Sequence, residues 1–397
     1  MRETTKNRII NYAKIFLIEL YLILLLAMNP TVADYFNYPK SIDFMAFYAA
    51  SNLVLMDQPA SLYNFNKLYD LEKKLTHGNN ANQYPWYYPP TFLLMLLPLA
   101  YMPYYASLCL WLGATFLGFI ITAYCIIANA SVIWVVLVFP GALINFLHGQ
   151  NGFFSATLLG GGLLLLEERP ALAGVFFGLL SYKPQFGILI PFALIAGRYW
   201  KTISSAFLTA IFLVLLSLLM FGSETWLAFF SNMKGPLSLI EQGAFKLWKM
   251  PTVFAGTMLL INNIYIARLL QCILFTGSVL VLFFTWRNQR IPRSLRSSLL
   301  VILTLLSTPY LFDYDLTILL LPILWLGCSP YLGKNLLGNR IILMSGYCMP
   351  VVASVVANAT RLQIGPLILM GLLWLTFNQI KEYKKTSNHT CYSTERN

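Results

Sequence analysis

Charge is scarce in this chain. Only 11% of its 397 residues are charged, and acids are the rarer sign, 15 Asp and Glu against 27 Lys and Arg. Histidine occurs three times, at His77, His148 and His389, never as a His-x-x-x-His pair. A histidine-based metal site is therefore not expected. Of the six cysteines, Cys109, Cys125, Cys272, Cys328 and Cys348 lie in apolar segments, where cysteine behaves as a small core residue. Cys391 lies in the polar tail. No spacing suggests zinc or a disulfide framework. There is no clear internal repeat and no stretch that reads as a soluble domain.

What fills the chain is apolar: 58% of the residues are hydrophobic. Runs of about 20 apolar residues, the length that crosses the hydrocarbon core, recur from residue 10 to residue 380. Backbone hydrogen bonds inside a bilayer must close within each segment, so these runs are helices. The expected class is an all-α polytopic membrane protein, one transmembrane domain over 1–380 with a polar, unstructured tail at 381–397. The formal net charge of +12 would raise nucleic acid as a partner of a soluble protein. Here the cations sit in short loops between spans, the positive-inside pattern, and no nucleic-acid partner is expected.

Residues 1–14 are basic, and a first span near 10–29 ends at Asn29-Pro30. A cleaved signal peptide is the rival reading, set aside because no small-residue cleavage pattern follows. The N-terminus is then cytoplasmic and 30–88 faces outward. Within that loop, 41–56 reads as a helix with Ser41 as N-cap. A second amphipathic helix covers 64–77, with Phe65, Leu68, Leu71 and Leu75 at helical spacing. Both are expected to lie along the membrane surface, apolar faces down. Further spans are expected near 89–103, 105–128, 131–147, 152–167, 171–182, 184–197, 202–221, 265–286, 297–310, 311–328, 341–357 and 364–380, roughly 11–13 in all by the length criterion.

The arginine cluster Arg287, Arg290, Arg293 and Arg296, with no acid near it in sequence, reads as cytoplasmic. So do Arg198 with Lys201, Lys334 with Arg340, and Lys381 with Lys384 and Lys385. Alternation puts 222–264 outside as a second outer loop. Counting from the two ends disagrees about His148-Gly149-Gln150. No charged residue between 89 and 166 settles it, so one segment there, such as 89–103, is expected to be re-entrant or broken, tolerated where it lines a polar cavity.

Charged residues in or beside spans are costly and default to functional candidates. Asp43 in "SIDFMAFYAA" sits in the first turn of its helix, whose dipole favours the ionised form; there it can accept a proton from an incoming hydroxyl or simply support the helix start. "YPWYYPPTF" (84–92) is either an interfacial aromatic belt or a rigid wall for a sugar or prenyl chain, with Tyr87 and Tyr88 in it. In "LHGQNGF", Gln150 and Asn151 need partners and either hold a helix break or touch a ligand. Lys183 in "LLSYKPQFG" is a compact charge suited to phosphate, or it snorkels. Asp313 and Asp315 of "STPYLFDYDLT" cap a helix or meet a sugar hydroxyl. Arg361 is a further membrane-edge cation, and Tyr48 a further candidate for contact with substrate.

Taken in order, "DFMAFYAASNLVLMDQPASLYN", "YPPTFLLMLLPLAYMP", "GQNGFFSATLLGGGLLLLEERPALAGVFFGLLSYKPQFGILIPFALI" and "STPYLFDYDLTILLLP" resemble glycosyltransferase family 87, over about residues 40 to 325. The resemblance implies a GT-C fold and transfer of a sugar, a hexose such as mannose or a pentose, from a polyprenyl-phosphate donor. The acceptor would be a lipid-linked or cell-envelope glycan on the outer face of a bacterial inner (plasma) membrane. It implies an essential acid in the first outer loop, matched here by Asp43. Many GT-C enzymes carry a second acid in that loop; here Phe44 and Met45 follow, which argues against a metal bridging two acids.

The expected reaction is a single inverting displacement without cofactor or metal. Asp43 is its base, and Lys183 the first choice of cation for the departing phosphate, ahead of Arg361, Lys246 and Lys249. A polytopic lipid or sugar transporter is the rival from another class. It should show internal repeats and would not need a lone acid on a juxtamembrane helix. A structural envelope subunit is a second rival.

Overall fold

Proline and glycine cut most of the apolar runs before they reach bilayer length. The computed structural model describes residues 42–76, 84–233, 246–333 and 336–394, with side chains as far as 387. The first span and Ser41 lie outside the described residues. No strand occurs among the described residues, and the chain is an all-α polytopic membrane protein.

After helices α1 (Phe44–Leu55) and α2 (Phe65–Leu75), α3 (Pro90–Leu96) opens on a proline and runs into a 3-10 turn, Leu97–Tyr101. Twelve residues of helix rise about 18 Å, well short of the roughly 30 Å hydrocarbon core. The apolar segment at 89–103 therefore does not cross the bilayer as one regular helix. α4 (Tyr104–Ile127) does have that length.

The run at 131–147 is split by Phe139-Pro140 into α5 (Val132–Leu137) and α6 (Pro140–His148). Then come α7 (Gly152–Leu165), α8 (Pro170–Leu179), and the two short pieces α9 (Pro184–Gly187) and α10 (Ile190–Ala196). α11 (Trp200–Asn232) is broken at Gly222, which takes φ 75°. The rest is α12 (Val253–Ile261), α13 (Ile264–Arg287), α14 (Arg293–Ser307), a 3-10 turn at Asp313–Leu319, α15 (Leu320–Gly327), α16 (Leu336–Thr360) and α17 (Gly365–Thr394).

Four described helices, α4, α11, α13 and α16, are long and apolar enough to cross a membrane. The remaining apolar segments are shorter or interrupted, so the expected eleven to thirteen crossings are not that many uninterrupted spanning helices. Two boundaries also differ. Residues 223–232, assigned to an outer loop, continue α11 beyond the break. The tail expected to be unstructured continues α17 to Thr394; no Pro or Gly interrupts it, and Lys385 pairs with Glu382 at 2.9 Å one turn away.

The centre of the bundle is the stretch from α14 to α15. Every residue from Leu295 to Ser307 and from Asp313 to Leu326 except the flanking turn is buried. α15, LLPILWLG, is apolar all round, as a helix buried on every side is. Around it, small residues set the helix separations: a Cβ on Gly174 or Gly178 of α8 would come within 2.5 Å of Thr202 O or Thr209 Cβ of α11. Close backbone approach at small residues is how helices associate where lipid removes the hydrophobic incentive.

α1 is not a surface helix. Phe44, Met45, Ala46, Phe47, Ala49, Ala50, Ser51 and Leu53 are all buried. Phe47 packs its ring against Trp86, Tyr88, Phe92 and Trp111 at 5.4–6.1 Å. The apolar face expected to rest on the membrane instead keys α1 into the core. The physical reason is that both faces of this helix are apolar, so lying on a membrane would leave half of it wet. α2 is the amphipathic one: Leu68 and Leu71 are buried, while Lys67, Lys73 and Lys74 stay exposed and Asn64 caps it by accepting from Lys67 N at 3.1 Å. Phe65, expected on the apolar face, is 43% exposed.

Candidate functional site

Polar atoms from six separated segments meet at one end of the bundle. Asp43 stands immediately before α1, in the N-cap position but without a side-chain capping bond. Its Oδ2 accepts instead from Gln150 Nε2 at 3.1 Å. This contact answers the counting conflict: His148-Gly149-Gln150 shares a face with Asp43.

The approach depends on Gly149. It ends α6 in the left-handed region, φ 65°, and a Cβ there would lie 2.7 Å from Phe44 Cβ. Only glycine meets both conditions without strain. Three residues on, a Cβ at Gly152 would strike Tyr314 O at 2.5 Å, so the second glycine of "GQNG" admits the 313–319 turn. Asn145 ties the two together, its Oδ1 accepting from Gly152 N at 2.8 Å.

From Gln150 the network runs inward. Gln150 Oε1 accepts from Asn151 N at 3.2 Å, and Asn151 Nδ2 donates to the Tyr88 hydroxyl at 2.8 Å. Asn151 Oδ1 accepts from Lys183 Nζ at 2.7 Å, and Lys183 forms a buried ion pair with Asp315. Asp315 turns its other oxygen to Phe312 N at 3.1 Å, closing the start of the 313–319 turn. Lys183 also sits 5.2 Å from the rings of Phe186 and Tyr314.

A second branch serves Asp313. Its Oδ1 accepts from Tyr314 N at 2.9 Å, and its Oδ2 faces Lys249 Nζ at 3.9 Å. Lys249 also donates to His148 Nε2 at 3.2 Å. His148 Nδ1 lies 2.9 Å from Ile144 O. A carbonyl only accepts, so Nδ1 carries the proton and Nε2 is left as acceptor. Sequence reading ranked Lys249 low and gave His148 no role; "FKLWKM" and "LHGQNGF" were the signals, but nothing in either predicts that they meet.

The aspartates two residues apart do point to different cations, Asp313 to Lys249 and Asp315 to Lys183. Among the described residues no three His, Cys, Asp or Glu side chains gather to hold a metal ion. Asp43 lies in electrostatic range of Asp313, Tyr88, Tyr310 and Tyr314.

Other expected contact residues are used differently. The Tyr48 hydroxyl donates to Met102 O at 3.0 Å, pinning α1 to the turn before α4. Tyr87 is half-buried and beside Tyr88, whose hydroxyl is in the network. Trp86 is 2% exposed and stacks on Phe92 at 5.9 Å; it is the core residue of 84–88, whose other members are partly exposed. Arg361 is exposed, in a left-handed turn after α16, and joins the network through no described contact.

Elsewhere, Glu72 of α2 is fully buried. Its Oε2 accepts from Tyr84 N at 3.4 Å and its Oε1 has no partner among the described residues. Burial pushes its carboxyl up to about 8, the bond from Tyr84 opposing only in part.

At the opposite end of the bundle, where α7 ends and α8 and α14 begin, a different polar group forms around Arg296. This arginine, one of the four in the cluster expected to be cytoplasmic, is buried. Its Nη2 donates to Glu167 Oε1 at 2.9 Å, its Nη1 to the Tyr199 hydroxyl at 3.1 Å and its Nε to Ile291 O at 3.0 Å. The acid missing from its sequence neighbourhood lies 129 residues earlier.

The family model of glycosyltransferase family 87 matches residues 86–309, more than half of the chain. No curated protein and no solved structure matches it.

Proposed function

Since the chain belongs to glycosyltransferase family 87 and is a membrane glycosyltransferase, we propose that the Asp43 cluster is its transfer site. The carrying observation is convergence: Asp43, Gln150–Asn151, Lys183, Lys249 and Asp313–Asp315 come from separate segments and form one polar group. Within it, Asp43 keeps a carboxylate oxygen that no described donor occupies.

In this reading the donor is a polyprenyl-phosphate sugar and the acceptor a hydroxyl of a lipid-linked or envelope glycan, both reaching the site from the outer side of the membrane. The acceptor oxygen attacks the anomeric carbon and the bond from that carbon to the phosphate oxygen breaks. The configuration inverts, the hydroxyl proton passes to Asp43, and polyprenyl phosphate leaves with an added negative charge.

A cation fixed in place stabilises that charge as it develops. Lys183, the expected choice, is 3% exposed and committed to Asp315 and Asn151; it holds the site together from beneath. Lys249 is 26% exposed and 3.9 Å from Asp313, and it takes the phosphate role here. Gln150 aims Asp43, and Asn151 and Tyr88 line the floor.

The test is Asp43→Asn in the purified full chain with a radiolabelled polyprenyl-phosphate mannose and an envelope lipid fraction as acceptor. Transfer falls by about 10²–10⁴-fold, the usual range for loss of a general base, while thermal stability stays within about 0.5 kcal/mol of wild type. Transfer at the wild-type rate removes Asp43 from the reaction.

A further inference from the structure

An open cavity of about 540 Å³ lies at the other end of the bundle, over Arg296. Its lining includes Arg198, Lys201, Tyr199, Trp200, Glu167 and Arg296. The floor is rigid. Arg296 is 3% exposed, held by Glu167, Tyr199 and Ile291 O and stacked over Trp286 at 5.5 Å. The turn that carries Arg198 is braced by Gln289, whose Nε2 donates to Gly197 O at 2.7 Å.

The charge balance on this wall is one-sided. Glu167 is already answered, at 2.9 Å by Arg296 and at 3.9 Å by Arg293. Arg198 and Lys201 are exposed, and neither side chain has a hydrogen bond or ion pair among the described residues. Two cations thus face one cavity whose only lining acid among the described residues, Glu167, is already paired. Arg198 takes φ 58°, a conformation that glycine would adopt without cost. The N-terminus of α11 opens into the same place. Tyr199, its N-cap, offers no side-chain acceptor, so the positive end of that helix adds to the field.

We infer that this cavity binds the phosphate of an anionic phospholipid headgroup, with Arg198 and Lys201 as its ligands and Arg296 as the fixed base. The lipid, rather than a soluble phosphate, is favoured by Trp200. Its side chain is 59% exposed beside the cations, as expected of an aromatic at headgroup level. Phe192, Ile195 and Phe207 continue an exposed apolar surface along α10 and α11, where acyl chains would lie. Basic pockets between membrane helices recognise phosphate headgroups in this way. Setting the topology alone would need the charges but not a cavity with a buried arginine floor.

The experiment uses the purified full chain, delipidated in detergent. Thermal unfolding and native mass spectrometry are followed on titration with phosphatidylglycerol, phosphatidylcholine of the same acyl chains, and inorganic phosphate. Wild type binds phosphatidylglycerol in preference to phosphatidylcholine and gains stability from it. The double variant Arg198→Gln/Lys201→Gln loses affinity for phosphatidylglycerol by about tenfold or more, given the attraction that each basic residue near a headgroup supplies.

A control, Arg287→Gln/Arg290→Gln, removes equal charge from the same end and keeps the affinity. Arg198→Lys/Lys201→Arg, which keeps both charges, retains most of it. Equal losses from the two Gln pairs, or no preference between the lipids, overturns the site. Inorganic phosphate alone reproducing the full stabilisation overturns the lipid assignment.

Discussion

The two ends of the bundle each hold an ion pair, one closed and one open to water, and they use it differently. At one end Lys183 and Asp315 are both sealed, 3% and 1% exposed, and their amide neighbours lead outward to Asp43. At the other, Arg296 is sealed, but its partner Glu167 is 44% exposed and reaches water. The first end has more carboxylates than it needs for its lysines; the second has more cations than acids. A closed pair holding amides in place makes a template for an accessible acid. An open pair with surplus cations makes a receptor for an anion. The same α7, α8 and α14 connect both, so the contrast arises from which residues stand at the two ends of the same helices.

The largest test of this contrast removes one partner at each end. Lys183→Met leaves Asp315 charged inside the protein and is expected to cost about 3–5 kcal/mol. Arg296→Met leaves Glu167 free to rehydrate and costs less, about 1–3 kcal/mol for the bonds lost to Tyr199 and Ile291 O. Denaturation of both variants in one detergent gives the comparison. Equal losses would show that the two pairs do not differ as described.

Lys249→Met addresses the division of labour between the two lysines. It should leave stability within about 1 kcal/mol, because Lys249 is partly solvated, yet lower kcat/KM by about 10²-fold if it meets the departing phosphate. Steady-state transfer assays at matched folded fraction separate the two effects. An unchanged rate assigns the phosphate elsewhere.

Gly149→Ala probes how Asp43 is held over the network. The left-handed backbone and the 2.7 Å approach to Phe44 predict a loss of about 1–3 kcal/mol and a drop in kcat. Hydrogen exchange should rise in α1 and at Gln150 and stay unchanged around Arg296. A change of equal size at both ends would mean that the glycine supports the whole bundle rather than one site.

A last test, confined to α2, concerns Glu72, a buried acid with no cation beside it among the described residues. Its carboxyl is raised to about 8 in the folded chain against an ordinary value near 4.3 when exposed. Folding therefore favours the protonated form. That contribution is full below about pH 4, is lost progressively as pH rises, and is gone above about pH 8. Protection of α2 from exchange should weaken from pH 5 to pH 8 in wild type. In Glu72→Gln that slope should vanish, and in both proteins Arg296 should be unaffected. A pH slope that survives in the Gln variant assigns the titration to another group.

Much of the candidate site could be read along the chain. Asp43, Gln150, Asn151, Lys183, Asp313 and Asp315 stand out because each interrupts an apolar run, and a polar atom there needs a reason. Their pairing could not be read, since Lys183 finds Asp315 across 132 residues and Gln150 finds Asp43 across 107. No local pattern encodes which helix ends coincide. α1 was misjudged for a related reason: an apolar helix beside a membrane fits a lipid surface or a protein core equally well, and only its neighbours decide. Nothing near Arg296 in the chain announces its partner, because Glu167 lies 129 residues away.

The sequence by itself determined the class of the protein. Long apolar runs admit only helices in a bilayer, prolines and glycines set where those helices break, and the few charges mark the polar ends. Only folding decided which polar residues share a site, which lysine is locked and which is accessible, and that a cationic cavity exists at the far end. Composition and periodicity act locally through hydration and backbone geometry. An ion pair, a close approach at glycine or a cavity depends on distances between segments that the chain order leaves free.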